Sequence, residues 1–156
     1  MKRLDRRRRR ESKTNYTKRL LLLKGNVPRL VVRKTNKYVL LQVIESKHAQ
    51  DSVVCEASTK ELLRYGWPKD KSGSLKSLAA AYLTGMLLAN KAKAKNVSKV
   101  ILDTGLIPST KGSRIYATVK GVVEGGLEIP HDQNILPSDE MINKYDFVEK
   151  IKGGLK

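Results

Sequence analysis

Apolar positions come in two rhythms along this chain. RLVVR (residues 29–33), YVLLQVIE (38–45) and DSVVCEAS (51–58) are short runs rich in β-branched and aliphatic side chains, the composition of strands. KTNK (34–37) is a turn signal between the first two, and the polar SKHAQ joins the second to the third. Pro28 sets an extended start for the first run, so the three predict an antiparallel meander. From Leu75 the rhythm changes. Leu75, Leu78, Ala79, Tyr82, Met86 and Ala89 follow helical spacing, while Leu83, Leu87 and Leu88 widen the stripe. This predicts a helix packed on more than one side, with Ser72 or Ser74 as N-cap and Lys91, Lys93 and Lys95 at its negative end. SKVILD (98–103) reads as a short buried strand. The strand–helix–strand order implies a right-handed crossover and a parallel pairing, hence a mixed sheet.

The remaining segments are less regular. Thr14 or Asn15 is expected to cap a short helix running to Lys24, stopped by Gly25. Residues 59–74 read as a helical turn followed by a polar loop. RIYATVKGVVEGG (114–126) carries both rhythms. Its β-branched residues favour a strand, yet Ile115, Val119, Val122 and Val123 share a helical face, Ser113 can cap it and Gly125-Gly126 can stop it; helix is preferred. A last helix is predicted from Ser138, with Asp139 and Glu140 in its first turn. Residues 1–13 have almost no apolar content and are expected to be disordered when free. The 156 residues thus divide into a disordered basic arm (1–14), an α/β domain (15–137) and a C-terminal helix and tail (138–156).

Charge sharpens this picture. Residues 1–37 hold 15 basic and 2 acidic residues, a net +13, and the other 119 hold 17 and 13, a net +4. So strong an asymmetry points to a polyanionic partner, nucleic acid first and an anionic membrane second. Cys55 is the single cysteine, which excludes an intramolecular disulfide and a cysteine zinc cluster within the chain. It reads as a buried small hydrophobe and implies a reducing compartment. LAAAYLTGMLLA (78–89) is too short to span a bilayer and no secretory pattern is visible, so a soluble protein is expected.

Three cationic clusters carry the candidate chemistry. The arm offers Arg6, Arg7, Arg8, Arg9, Arg10 and Lys13. YTKR places Tyr16, an aromatic able to stack on a base, beside Lys18 and Arg19. On the first strand Arg29, Val31 and Arg33 share one face and Leu30 and Val32 the other, with Lys34, Asn36 and Lys37 at the turn. Guanidinium forks suit phosphate oxygens and an asparagine amide can read a base edge. A separate loop, TGLIPSTKGSR (104–114), sets Lys111, Gly112, Ser113 and Arg114 at a predicted helix start, where amides and cations favour phosphate; it lacks the Walker spacing. No helix-turn-helix, zinc finger, basic zipper or aromatic strand pair occurs. Aromatics make up 5% of the chain, so recognition of folded RNA by shape and backbone is favoured. Catalysis finds little support. His48 and His131 have no triad partners, Asp103 ends a strand and reads as the cap of the next turn, and Trp67 reads as a packing anchor. No HExxH, GxSxG or nucleotide fingerprint is present, and no metal or cofactor is expected.

YTKRLLLLKGNVPRLVVRKTNKYVLLQVI, KELLRYGWP, AAYLTGMLLANKA, VILDTGL, GSRIYATVKGVVEGGLEIPH and ILPSDE, in that order, resemble the archaeal/eukaryotic type of large ribosomal subunit protein eighteen. The resemblance runs from about Tyr16 to Glu140. It implies a non-enzymatic cytoplasmic protein of the large ribosomal subunit that binds 5S ribosomal RNA and anchors it to the large-subunit RNA in the central protuberance, among neighbouring ribosomal proteins. It also implies a three-layer α/β/α fold with a mixed sheet of ribonuclease H-like topology, in which 114–126 is a helix. RNA contacts carry over onto Lys18, Arg19, Arg29, Arg33, Asn36 and Lys37, and onto the loop from Lys111 to Arg114. Two alternatives stand beside this: a nuclease of the same topology using Asp103 and Glu45 to hold a metal, and a general DNA-binding protein.

Overall fold

The computed structural model describes residues 4–48 and 50–155. The first three residues of the predicted arm, Ala49 in the polar connection and Lys156 of the tail lie outside the described residues. The helices, in chain order, are α1 (Arg7–Arg10), α2 (Tyr16–Lys24), α3 (Leu78–Lys93), α4 (Arg114–Glu124), α5 (Asp139–Ile142) and α6 (Phe147–Leu155), with 3-10 turns at Thr59–Tyr65, Lys69–Ser74 and Gln133–Ile135. The strands are β1 (Arg29–Lys34), β2 (Val39–Lys47), β3 (Gln50–Ser58) and β4 (Ile101–Asp103).

β1, β2 and β3 form the predicted meander, and β4 joins the free edge of β1 in parallel, giving the order β3-β2-β1-β4. Leu30, Val32, Leu41, Val43 and Ala57 line one face and are buried, because successive side chains of a strand alternate between faces. That face packs against α3, and α4 packs on α3 in turn. α2 lies toward the other face, so the fold is α/β with a mixed sheet and helices on both sides. β4 is shorter than SKVILD suggested. Lys99 forms a parallel bridge with Glu128, and the Val100 amide donates to the Glu128 carbonyl, so only the last three residues pair with β1.

Residues 114–126 resolve toward helix as α4. The crossing of α3 with α4 is close enough to need glycine on both sides. A Cβ at Gly121 would lie 2.0 Å from the Tyr82 carbonyl oxygen, and one at Gly85 would lie 2.4 Å from the Thr118 carbonyl oxygen. Two helix boundaries differ from the sequence expectation. The N-cap of α3 is Ser77, whose hydroxyl accepts the Ala80 amide, rather than Ser72 or Ser74. Residues 69–74 are instead wound into a 3-10 turn, where the Ser74 hydroxyl donates to the Lys71 carbonyl. The last helix is broken in two at Asn143. The break lets Tyr145 stack on Phe147 at 5.3 Å and sets Phe147 edge-on to the buried Trp67 at 4.9 Å. Trp67 is thus the anchor expected, its indole N–H donating to the Lys71 carbonyl. In the arm, where composition predicts disorder, Arg7–Arg10 form a single helical turn that buries no residue. Cys55 is half-buried against the core, and burial pushes its thiol up against the opposing pull of Lys91 and Lys95.

One partly buried contact ties α3, α4 and α6 together. The Tyr82 hydroxyl and the Lys152 ammonium both donate to Glu124 Oε2, at 2.5 and 2.9 Å. Burial, reinforced by the Glu124 bond, pushes the Tyr82 phenol from 10.0 up to about 12. A folded-state value above the unfolded one means stability that is complete below pH 10 and lost as the pH rises toward 12. An ultraviolet titration of the folded protein should therefore show a phenol ionising near pH 12, absent in Tyr82→Phe. A wild-type titration in which every phenol ionises together around pH 10, with no separate step near 12, would refute this.

Candidate nucleic-acid interface

α2 has no buried residue, so polar bonds rather than core packing must hold it in place. Asn15 caps it, its side-chain oxygen accepting the Lys18 amide at 3.1 Å. The Lys18 ammonium donates to Thr104 Oγ1 at 2.8 Å and to the Gly105 carbonyl at 3.3 Å. Arg19 pairs with Asp51 at 2.8 Å. Two cations assigned to RNA from the sequence therefore also dock the helix that bears them. Tyr16 is half-buried with the Arg6 guanidinium over its ring at 4.9 Å, so one face of that ring is already covered.

Arg29 requires a correction. Alternation placed it with Arg33 on an outward, phosphate-facing row. It is only 2% exposed, and its guanidinium is spent inside the protein: Nη1 donates to Asp103 at 2.9 Å, and Nη2 to Asp51 at 2.9 Å and Ser46 at 3.1 Å. The parallel register pairs Val31 with Asp103 and Arg29 with Ile101, which sets Asp103 diagonally across from Arg29 on one face. The hairpin register pairs Ser46 with Asp51 and brings both to the same guanidinium. Burial tends to raise the Asp51 carboxyl, but the Ser46 hydroxyl and the Arg19 and Arg29 guanidinium groups together hold it below the usual carboxylate range. Arg29 thus lies in the floor of the site, with both Nη atoms bonded to the protein's own side chains.

Above this buried network lies an open groove of about 420 Å³, walled by the arm, α2, β1 and the loop after β4. Arg8, Lys13, Lys18, Arg19, Arg33 and Lys34 all line it. A second hollow, of about 440 Å³, lies between Lys34, Leu78 and the loop carrying Gly112, Ser113 and Arg114. Both hollows share Lys34 and Ile107 as walls. The hairpin and the loop, read as separate candidates from the sequence, thus adjoin across Lys34 and Ile107 to form one mainly cationic surface, with Asp51 and Asp103 in its floor.

The cations differ in how free they are. Arg33, Lys34, Lys37 and Lys111 are exposed and make no ion pair among the described residues, as is true of the half-buried Arg114; Asn36 is exposed at the turn. In the arm, Arg7 and Arg9 make long, exposed pairs with Glu11 and Asp5, at 3.7 and 3.6 Å, and Lys13 pairs with Glu11. Such pairs contribute little and exchange readily for a phosphate. Arg8 donates to Thr14 at 2.9 Å, and Arg10 makes no ion pair among the described residues. At the loop, Ser113 occupies the N-cap position of α4, but its side chain makes no capping bond and its hydroxyl is buried without a partner. The Gly112 and Ser113 amides are bonded to the Ile135 and Thr110 carbonyls. The amides open to an anion there are those of the first turn of α4.

Ser46, Asp51 and Thr104 were missed in the sequence. The hairpin register could have exposed the Ser46–Asp51 pair; nothing local marks Thr104. Asp103 does cap the following turn, its carboxylate accepting the Gly105 amide at 2.9 Å, as well as pairing with Arg29. Glu45 pairs with Lys47 at 3.5 Å. Among the described residues no group of three or more His, Cys, Asp or Glu side chains is arranged to hold a metal ion, and no helix is long and apolar enough to cross a membrane.

Residues 2–98 and 90–132 match the family described as ribosomal large subunit proteins 60S L5, and 50S L18. Curated relatives agree. The chain is 50% identical over 149 residues to large ribosomal subunit protein uL18 of Korarchaeum cryptofilum, covering 94% of this chain and 74% of that one. It is 46% identical over 138 residues to the uL18 of Caldivirga maquilingensis (88% and 65% covered). To that of Methanoregula boonei it is 42% identical over 136 residues (87% and 76% covered). The matched part therefore spans between 65% and 76% of the length of these three relatives.

Proposed function

The chain belongs to the family of large ribosomal subunit proteins 60S L5 and 50S L18, and on that premise we propose that it binds 5S ribosomal RNA and anchors it to large-subunit RNA in the central protuberance. Members of this family are structural constituents of the ribosome and not enzymes. The observation that carries the finer reading is the continuous surface from the arm across the groove to the Lys111–Arg114 loop. Its free cations sit on β1 and on the turns beside it, while the arm is held by exposed pairs within itself, the Arg8–Thr14 bond and Arg6 over the Tyr16 ring. A fixed groove with a loosely held cationic arm suits the phosphate backbone of a folded RNA, where shape and charge matter more than base edges.

Binding of 5S RNA should weaken steeply with salt, because each neutralised phosphate releases condensed counterions. Removing residues 1–13 should flatten the log–log slope by several units, on the order of one unit per lost phosphate contact. An unchanged slope and affinity would remove the arm from the interface. Duplex DNA competing equally with 5S RNA would favour a general nucleic-acid binder instead.

A further inference from the structure

We infer that residues 60–76 form a second RNA contact, of the stacking kind, and that this surface takes an unpaired base of large-subunit RNA while the groove holds 5S RNA. The segment connects β3 to α3, and none of its residues lines either hollow of the first surface. Lys60, Arg64, Lys69, Lys71 and Lys76 are all exposed, and none has a carboxylate partner among the described residues. Of the two acids in the segment, Glu61 is already spent on Lys91 and the Ser58 amide, which leaves Asp70 alone against five cations.

Beside them stands Tyr65. It is 43% exposed and is the one exposed aromatic ring among the described residues. Its backbone is fixed on both sides. A capping box at Ser58 and Glu61 opens the 3-10 turn, and Gly66, at φ +95°, closes it in the left-handed region. Trp67 then pins the chain into the core. The turn packs on α3, β3 and α6, so the Tyr65 ring is presented from a rigid base. Lys71 is held over the stacked rings of Tyr145 and Phe147, 5.2 Å from each, which fixes the position of that charge. An exposed ring with Arg64 beside it in the chain, on an ordered turn whose cations have no carboxylate partner among the described residues, is an arrangement that takes an unstacked base on the ring and its phosphates on the charges. The first surface lacks this: its aromatic, Tyr16, is half-buried beneath Arg6.

This inference rests on the reading that the protein bridges two RNAs, and the experiment separates the two. Full-length protein bound to immobilised 5S RNA is offered a large-subunit ribosomal RNA transcript, and capture is measured for wild type, Tyr65→Ala, Tyr65→Phe and Arg64→Gln. Tyr65→Ala should weaken capture by about tenfold or more and leave 5S affinity unchanged, with capture restored in Tyr65→Phe, which keeps the ring. Arg64→Gln should lower the salt slope of capture by about one unit and leave the 5S slope alone. Capture that is indifferent to Tyr65→Ala, or lost together with 5S binding, overturns the second surface alone, whereas no capture by wild type overturns the bridging reading and the second surface with it. Failure of wild type to bind 5S RNA at all overturns the proposed function as well.

Discussion

Gly121→Ala should destabilise the protein by about 3 kcal/mol or more, a large fraction of the roughly 5–15 kcal/mol that holds a domain folded. The added methyl would sit 2.0 Å from the Tyr82 carbonyl oxygen, 2.9 Å from its carbon and 3.2 Å from the Met86 nitrogen. All three are backbone atoms of α3, so no side-chain rotation relieves the clash; the helices must separate. α3 is buried along nearly its whole length, between the sheet and α4, so separation opens the core. Helix propensity alone argues the other way, since alanine is favoured over glycine in a helix by up to about 1 kcal/mol. Gly153 supplies the control. It lies in α6, where an added Cβ meets nothing within 4 Å, so Gly153→Ala should be neutral or mildly stabilising. Urea unfolding of the two variants checks both, and a Gly121→Ala protein as stable as Gly153→Ala would show that the crossing yields without cost.

That crossing also shows where sequence reading stops. The strands were legible because their alternation is local, and α3 because its apolar stripe repeats over four turns. α4 was ambiguous on its own. Ile115, Val119, Val122 and Val123 fit either rhythm, and the contact that demands a helix, Gly121 against Tyr82, joins positions 39 residues apart. The cap of α3 was misplaced by a few residues because Ser72, Ser74 and Ser77 are chemically equivalent until the 3-10 turn commits the second of them to Lys71. At the interface, the cations could be found from charge density, but not their division of labour. Arg29 and Arg33 look alike on one strand face. What separates them is Asp51, 22 residues on, and Asp103, 74 residues on. The same long-range pairing brings the Lys111–Arg114 loop up to Lys34, which no local pattern announces.

Replacing Arg29 should therefore damage the fold and spare RNA binding, the reverse of replacing Arg33. Arg29→Met leaves the Asp103 and Asp51 carboxylates without their shared guanidinium. Breaking one side of a buried pair costs about 3–5 kcal/mol. Asp51 is 31% exposed and keeps Arg19 and Ser46, so the lower end, about 3 kcal/mol, is expected. Arg29→Lys keeps the charge but cannot fork to two carboxylates, and should fall between the two. The loss should depend on pH with a definite sign. Asp51 is held below the usual carboxylate range in the folded protein, so its contribution is present above the unfolded value and disappears as the pH falls through the folded one. Arg29 supplies part of that hold, so the gap between wild type and Arg29→Met should be widest near neutral pH and narrow in acid. Urea melts across that range measure it, and a gap independent of pH would mean the Asp51 pairing contributes nothing. At neutral pH and a temperature where both variants stay folded, Arg29→Met should keep the wild-type salt slope for 5S RNA, whereas the exposed Arg33→Gln should keep wild-type stability and lower that slope by about one unit. Equal slopes in the two variants would put both arginines on the same side of the interface and sink the distinction drawn from burial.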